Sequence, residues 1–148
     1  SLLDLCDHST YEGEAALFLE NSALRAHERN IKPLENFSTG ALIQSIIHFI
    51  NQDVARSEIA YYFHTSLVNW IAAVARQNNC RTLAFSGGVF QNSLLNDMLK
   101  GMLSEEFDLL FHQELSPNDE CISYGQLACR QIEKKRIALT HQTKSVCA

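Results

Sequence analysis

Leu83-Ala84-Phe85-Ser86-Gly87-Gly88-Val89-Phe90-Gln91-Asn92 reads as a short apolar strand, a paired-glycine turn and the opening of an amphipathic helix. Glycine admits backbone angles that other residues avoid and lets a ligand approach the main chain closely. The helix that follows brings N–H groups and the positive end of its dipole, a combination that favours phosphate. The stretch therefore predicts an anion site at a strand-to-helix turn, although many α/β proteins have such a turn without a ligand. A second signal lies downstream in Ser116-Pro117-Asn118-Asp119 and Ser123-Tyr124-Gly125-Gln126.

The elements around this stretch are read from periodicity. Gly13 to Arg29 carries Ala16, Leu17, Leu19, Ala23 and Leu24 and predicts a helix. Asn30 to Phe37 contains Pro33 and is a loop or an edge strand. Ser38 or Thr39 caps a helix to about Asn51, with Leu42, Ile43, Ile46, Ile47 and Ile50 inward. A long helix runs from Ser57 to Gln77 with a stripe of Ile59, Phe63, Leu67, Trp70, Ile71 and Val74. Arg81–Phe85 and Phe107–His112 are strands joined by a helix from Phe90 to Leu103, and a last helix runs from Asp119 or Glu120 to about Lys134. A strand–helix–strand crossover pairs its strands in parallel. Residues 137–148, mixed and polar, are expected to form a loosely ordered tail. Ser1-Leu2-Leu3-Asp4-Leu5 has the look of the last turns of a helix already under way, and the apolar Leu109-Leu110-Phe111 asks for more neighbours than one strand provides. Both features suggest a piece of a larger protein.

Bulk composition narrows the function classes. A chain of 148 residues, 46% hydrophobic and 20% charged, can form one domain with a real core. Its net charge of −5 argues against a nucleic-acid surface driven by bulk electrostatics. No apolar run approaches a membrane span and no signal peptide is seen. The five cysteines match no zinc framework and read as reduced thiols in a cytoplasmic protein.

Candidate chemical groups are few. The Asn92 amide is expected one turn into its helix, where it can donate to a phosphate or ribose. Asp119 has two readings. With Ser116 as N-cap and Pro117 at the first helical position it completes a capping box, and as a carboxylate at a strand tip it suits a metal, though never alone. No two of the six histidines share a helical face at ligand spacing, and His64 reads as a hydrogen-bonded packing residue. Glu12 and Gly13, in Tyr11-Glu12-Gly13-Glu14-Ala15-Ala16, suit a helix entry and also allow contact with ribose hydroxyls. No Ser/His/Asp or Cys/His nucleophile arrangement is visible, and catalytic residues stay unassigned.

Phe63-His64, Phe85-Ser86-Gly87-Gly88-Val89-Phe90-Gln91-Asn92, Ser116-Pro117-Asn118-Asp119 and Ser123-Tyr124-Gly125-Gln126, with Tyr11-Glu12-Gly13-Glu14-Ala15-Ala16 before them, resemble in kind and order the C-terminal part of the HypF carbamoyltransferases. The resemblance covers roughly residues 1 to 132. It implies an α/β fold: the second lobe of an actin and sugar-kinase-like (ribonuclease H-like) two-lobed fold, helix-rich with a small parallel sheet, spanning residues 1–136. It also implies a function. Such enzymes use carbamoyl phosphate and ATP, with Mg accompanying ATP, and pass a carbamoyl group from carbamoyl-adenylate to the C-terminal cysteine thiolate of HypE. The product serves cyanide-ligand synthesis for nickel–iron hydrogenases. By the same resemblance Gly87, Gly88 and Asn92 hold the nucleotide, with Glu12 and Gly13 beside it, and Asp119 is one ligand of a divalent metal, zinc or iron. The other two ligands come from a His-x-x-x-His segment that this chain lacks, so the chain alone is expected to be inactive. Glu120 and Cys121 stand where the family usually has glycines. Two alternatives remain: a lobe of the related tRNA threonylcarbamoyl transferases (TsaD), disfavoured by Phe90-Gln91 and the net charge, and a non-catalytic nucleotide-binding or docking module.

Overall fold

A computed structural model of the chain describes residues 2–27 and 31–145, with side chains described as far as residue 133. The order is α1 (Glu14–Leu24), α2 (Thr39–Asn51), α3 (Arg56–Gln77), β1 (Thr82–Phe85), a 3-10 turn (Gly88–Gln91), α4 (Ser93–Leu103), β2 (Asp108–Phe111) and α5 (Glu120–Ser145). The strands pair in parallel as a small two-stranded sheet, and the class is helix-rich α/β as the sequence implied. The chain divides into two compact units, Ser1–Ala84 with Asn92–Leu110, and Phe85–Gln91 with Phe111–Ala148.

In the first unit α3 is the central element, packed against α1, α2 and α4. Its most buried positions are not the expected stripe. Ile59 is buried, but so are Ala60, Ser66, Val68, Ala72 and Ala75, whereas Trp70 and Val74 stay exposed. A helix with neighbours on several sides must carry small residues where they come closest, and the large side chains of the stripe move to the rim. Leu42 and Ile46 of α2 join Ile59 and Tyr62 of α3 in the apolar core, with Phe49 and Phe63 packed at its edge. Ile43 and Ile47, also expected inward, face out.

Local chemistry sets the boundaries. The Ser38 hydroxyl accepts the Ala41 N–H and caps α2, as its sequence predicts. Residues 31–37 form a loop rather than an edge strand. The backbone of Leu34 is satisfied by side chains of α3: its N–H donates to Ser66 Oγ (3.1 Å) and its carbonyl accepts from Asn69 Nδ2 (3.2 Å). A segment so satisfied needs no ladder partner. Phe37 completes the attachment by stacking on Trp70, ring centroids 4.7 Å apart.

Two expectations about the ends are revised. Residues 2–12 form turns and bends rather than a helix, and Asp4 makes an exposed ion pair with Arg56 at the start of α3 (2.7 Å). α5 continues past Lys134 to Ser145, so the backbone expected as a tail from 137 is helical that far. In the second unit Phe85 packs between Phe90 and Phe111, centroids 5.1 and 4.7 Å away. No helix among the described residues is long and apolar enough to cross a membrane.

Candidate functional site

The glycine turn and the Ser-Pro-Asn-Asp loop, far apart in sequence, meet in the second unit. Gly87 sits at φ +107°, a conformation L side chains rarely adopt, and its N–H donates to Pro117 O at 2.6 Å. The Phe90 N–H closes the turn on Gly87 O at 3.0 Å. Gln91 Nε2 donates to Ser116 Oγ at 3.1 Å. Gly88 has an ordinary φ, and a Cβ built there meets nothing within 4 Å. Its missing side chain is an opening onto the turn, not a packing necessity.

Ser86 Oγ lies 3.0 Å from His112 Nε2, a pair the sequence reading did not find. Each is the residue just after a strand, and parallel pairing sets the two strand ends side by side. That register is the signal that could have found them.

Asp119 is not part of a capping box. Asn118 Oδ1 accepts the Glu120 N–H (3.1 Å) and starts α5, while the Asp119 carboxylate is exposed. The Asp at the third position lost the cap to the nearer Asn, whose side chain reaches two residues ahead. Among the described residues no group of three His, Cys, Asp or Glu could hold a metal. One carboxylate does not make a metal site, so the described residues do not by themselves fit that group.

In the first unit the start of α4 is built differently from expectation. Asn92 is its N-cap rather than a residue one turn in, because Gly88–Gln91 closes into a separate 3-10 turn. Asn92 Oδ1 accepts the Leu95 N–H at 2.7 Å. The two preceding N–H groups, of Ser93 and Leu94, go to Glu20 Oε1 at 2.8 and 3.1 Å, and the Ser93 hydroxyl adds a third bond at 2.6 Å. Glu20 reaches them from α1 and is only 7% exposed. The anion at this helix N-terminus is thus the protein's own carboxylate. Glu20 was missed as a functional residue. Its signal was an acidic residue one turn before Ala23, on the stretch of α1 that is buried.

His64, on α3, completes the cluster. It is 2% exposed, with Nδ1 2.8 Å from Ala60 O and Nε2 3.1 Å from Asn92 Nδ2. Burial lowers its pKa below the ordinary 6.5, against the Ala60 hydrogen bond and the nearby Glu20 charge. It is a buried, hydrogen-bonded residue, as its position in the apolar helix suggested.

Gly13 is the N-cap residue of α1 at φ +89°, and Glu12 before it is exposed. The structure therefore places Glu12, Gly13 and Asn92 in the first unit and Gly87, Gly88 and Asp119 in the second. An apolar cavity of about 210 Å³ in the first unit, lined by Leu3, Leu19, Ile46 and Phe63 among others, offers almost nothing polar to a nucleotide.

Comparison with known proteins gives a consistent result. Residues 1–126 match the family described as carbamoyltransferase, Kae1-like domain, second subdomain. The chain is 32% identical to the carbamoyltransferase HypF of Synechocystis over 140 residues, covering 88% of this chain and 18% of that protein. It is 27% identical to the probable carbamoyltransferase HypF of Methanocaldococcus jannaschii, covering 85% of this chain and 18% of that one. The chain thus spans under a fifth of the length of the curated relatives it matches. Among solved structures, T. kodakarensis HypF superposes with a TM-score of 0.64 at 27% identity, over 78% of this chain and 16% of that one. A full-length HypF in phosphate- and nucleotide-bound form gives 0.71 at 24% identity, over 84% of this chain and 21% of that one.

Proposed function

Because the chain belongs to the carbamoyltransferase family, in the second subdomain of its Kae1-like domain, we propose that it is the nucleotide-holding part of a HypF-type carbamoyltransferase. The reaction is carbamoyl transfer from carbamoyl-adenylate, made from carbamoyl phosphate and ATP, to the C-terminal cysteine thiolate of a HypE-like protein. The thiolate attacks the carbamoyl carbon, the new C–S bond forms, and the bond to the adenylate oxygen breaks with its electron pair leaving on AMP. The observation that carries this reading is the Gly87 N–H bond to Pro117 O, which joins the two motifs that the resemblance assigns to one site.

In this reading Gly88 lets the nucleotide come close to the backbone, since nothing lies where a Cβ would stand. Asn92 gives an amide hydrogen, and Glu12 and Gly13 lie at the entry to α1. Electrostatic stabilisation of the developing oxyanion and placement of the reacting groups together supply most of the acceleration. Asp119 is one donor of a metal centre whose other ligands the resemblance assigns to a His-x-x-x-His segment that this chain lacks. Its exposed carboxylate, not engaged in the α5 cap, is compatible with that role.

The test grafts residues 1–126 into Synechocystis HypF in place of the matching segment. Thiocarbamoylation of a HypE-like acceptor is then followed by mass spectrometry. The graft transfers carbamoyl, and its Asp119→Ala variant folds but does not. A folded graft without transfer overturns the proposal and leaves the docking-module reading. A fully active Asp119→Ala graft removes the ligand role alone.

A further inference from the structure

We propose that His64 is a positioning residue, whose neutral imidazole fixes which way the Asn92 carboxamide faces and so which hydrogen it offers to a nucleotide. This rests on the nucleotide reading of Asn92. The orientation itself follows from donors and acceptors alone. The Ala60 carbonyl can only accept, so His64 Nδ1 carries the hydrogen of the 2.8 Å contact. In the neutral ring Nε2 is then a bare acceptor, and its partner at 3.1 Å must donate, which identifies that atom of Asn92 as Nδ2. At the other end the Leu95 N–H can only donate, and it meets Oδ1 at 2.7 Å.

The series from Ala60 to Leu95 has one consistent assignment. Turning the Asn92 amide over sets its oxygen against the Nε2 lone pair and its NH2 against the Leu95 N–H, two repulsive contacts replacing two bonds. His64 is nearly inaccessible and cannot trade Asn92 for water. The backbone around Asn92 is held too, because Ser93 and Leu94 are bonded to Glu20. Nδ2 has two hydrogens. One is used by His64, and the second is left in a fixed direction for a ribose hydroxyl or phosphate oxygen.

A side chain that merely fills space at position 64 makes no distinction between its two nitrogens, and two substitutions separate them. Asparagine at 64 keeps a donor near Nδ1 and loses the Nε2 acceptor. Glutamine keeps a polar end near Nε2. In the grafted carbamoyltransferase, His64→Asn raises the KM for ATP about tenfold with kcat little changed, the loss expected for one pre-set hydrogen bond. His64→Gln restores it to within about threefold. Asn92→Asp, which keeps the Leu95 cap and removes the donor, raises KM in the same way and serves if His64→Asn does not fold. In the 15N-labelled chain of 148 residues, the His64 nitrogens show the Nδ1–H tautomer, and the Asn92 NH2 signal moves in His64→Asn.

Equal KM changes in the Asn and Gln variants, or none in either, overturn the positioning role. So does an Nε2–H tautomer. A wild-type graft that shows the expected tautomer but no turnover at any ATP concentration instead sinks the nucleotide reading, and the inference falls with it.

Discussion

Glu20→Ala is the most demanding test of the α4 N-terminus. One buried oxygen accepts three bonds there, from the Ser93 N–H, the Ser93 hydroxyl and the Leu94 N–H. Ser93 is exposed, so water can replace its partners, and its two bonds count for little. Leu94 is 8% exposed, and its amide is left without a partner at about 1–3 kcal/mol. Loss of the charge at the helix N-terminus adds up to about 2 kcal/mol in a partly buried setting. The carboxylate also has a desolvation cost, which its removal relieves. The expected loss is about 2–4 kcal/mol for Ala. For Glu20→Gln, which keeps an accepting oxygen, it is about 1 kcal/mol. The assay is urea unfolding followed by the single tryptophan, Trp70, which sits in α3 of the same unit. The cycle is completed with Ser93→Ala and the double variant. An Ala variant within about 0.5 kcal/mol of wild type refutes the reasoning: the cost of burying the carboxylate would then cancel its three bonds.

Gly87→Ala forces an L side chain to φ +107° and loses about 1–3 kcal/mol in urea unfolding, whereas Gly88→Ala stays within about 0.5 kcal/mol because its Cβ enters open space. Equal losses at the two positions contradict the turn geometry. Stability also has a pH dependence from His64. Its folded pKa lies below 6.5, so the unfolded chain takes up the proton first as pH falls. The contribution is full above about 6.5 and declines below it by at most about 1.4 kcal/mol per pH unit. His64→Gln flattens that part of the curve measured between pH 5 and 8, and an unchanged slope assigns the effect to other groups. Asp119→Ala leaves the urea midpoint of the chain unchanged, since Asn118 rather than Asp119 starts α5; a shifted midpoint restores the capping role.

What could be read from sequence was what neighbours in sequence decide. Ser38 caps α2 through Ala41, three residues on, and that helix begins and ends where its pattern says. The crossover between the two strands, hence their parallel pairing, followed from element order. Asn92 was within reach too. An Asn directly before Ser93-Leu94-Leu95 is an N-cap pattern, hidden here because the 3-10 turn ahead of it looked like the same helix. Contacts between elements were out of reach. Nothing near Glu20 in sequence announces that it will satisfy amides more than seventy residues away. Likewise Ser66 and Asn69 read as interruptions of an apolar helix until Leu34 is seen between them.

These long-range contacts change what the glycine turn means. The opening expectation was an anion held by free amides at the start of a helix. Ser93, Leu94 and Leu95 of α4 already give theirs to Glu20 and Asn92, and Gly87 gives its own to Pro117. Donors engaged in this way hold the backbone in place before any ligand arrives, and a ligand that displaced them would have to replace each bond. What the turn still offers is space, since at Gly88 no side chain stands between solvent and the main chain, together with the Gly88 and Val89 N–H groups, which no described residue engages. The glycine there is best understood as a clearance. On that argument Gly88→Ala in the grafted carbamoyltransferase weakens ATP use while the urea midpoint of the chain stays put, and Gly87→Ala lowers the midpoint. If the two variants exchange these effects, the clearance at Gly88 is not what binding depends on.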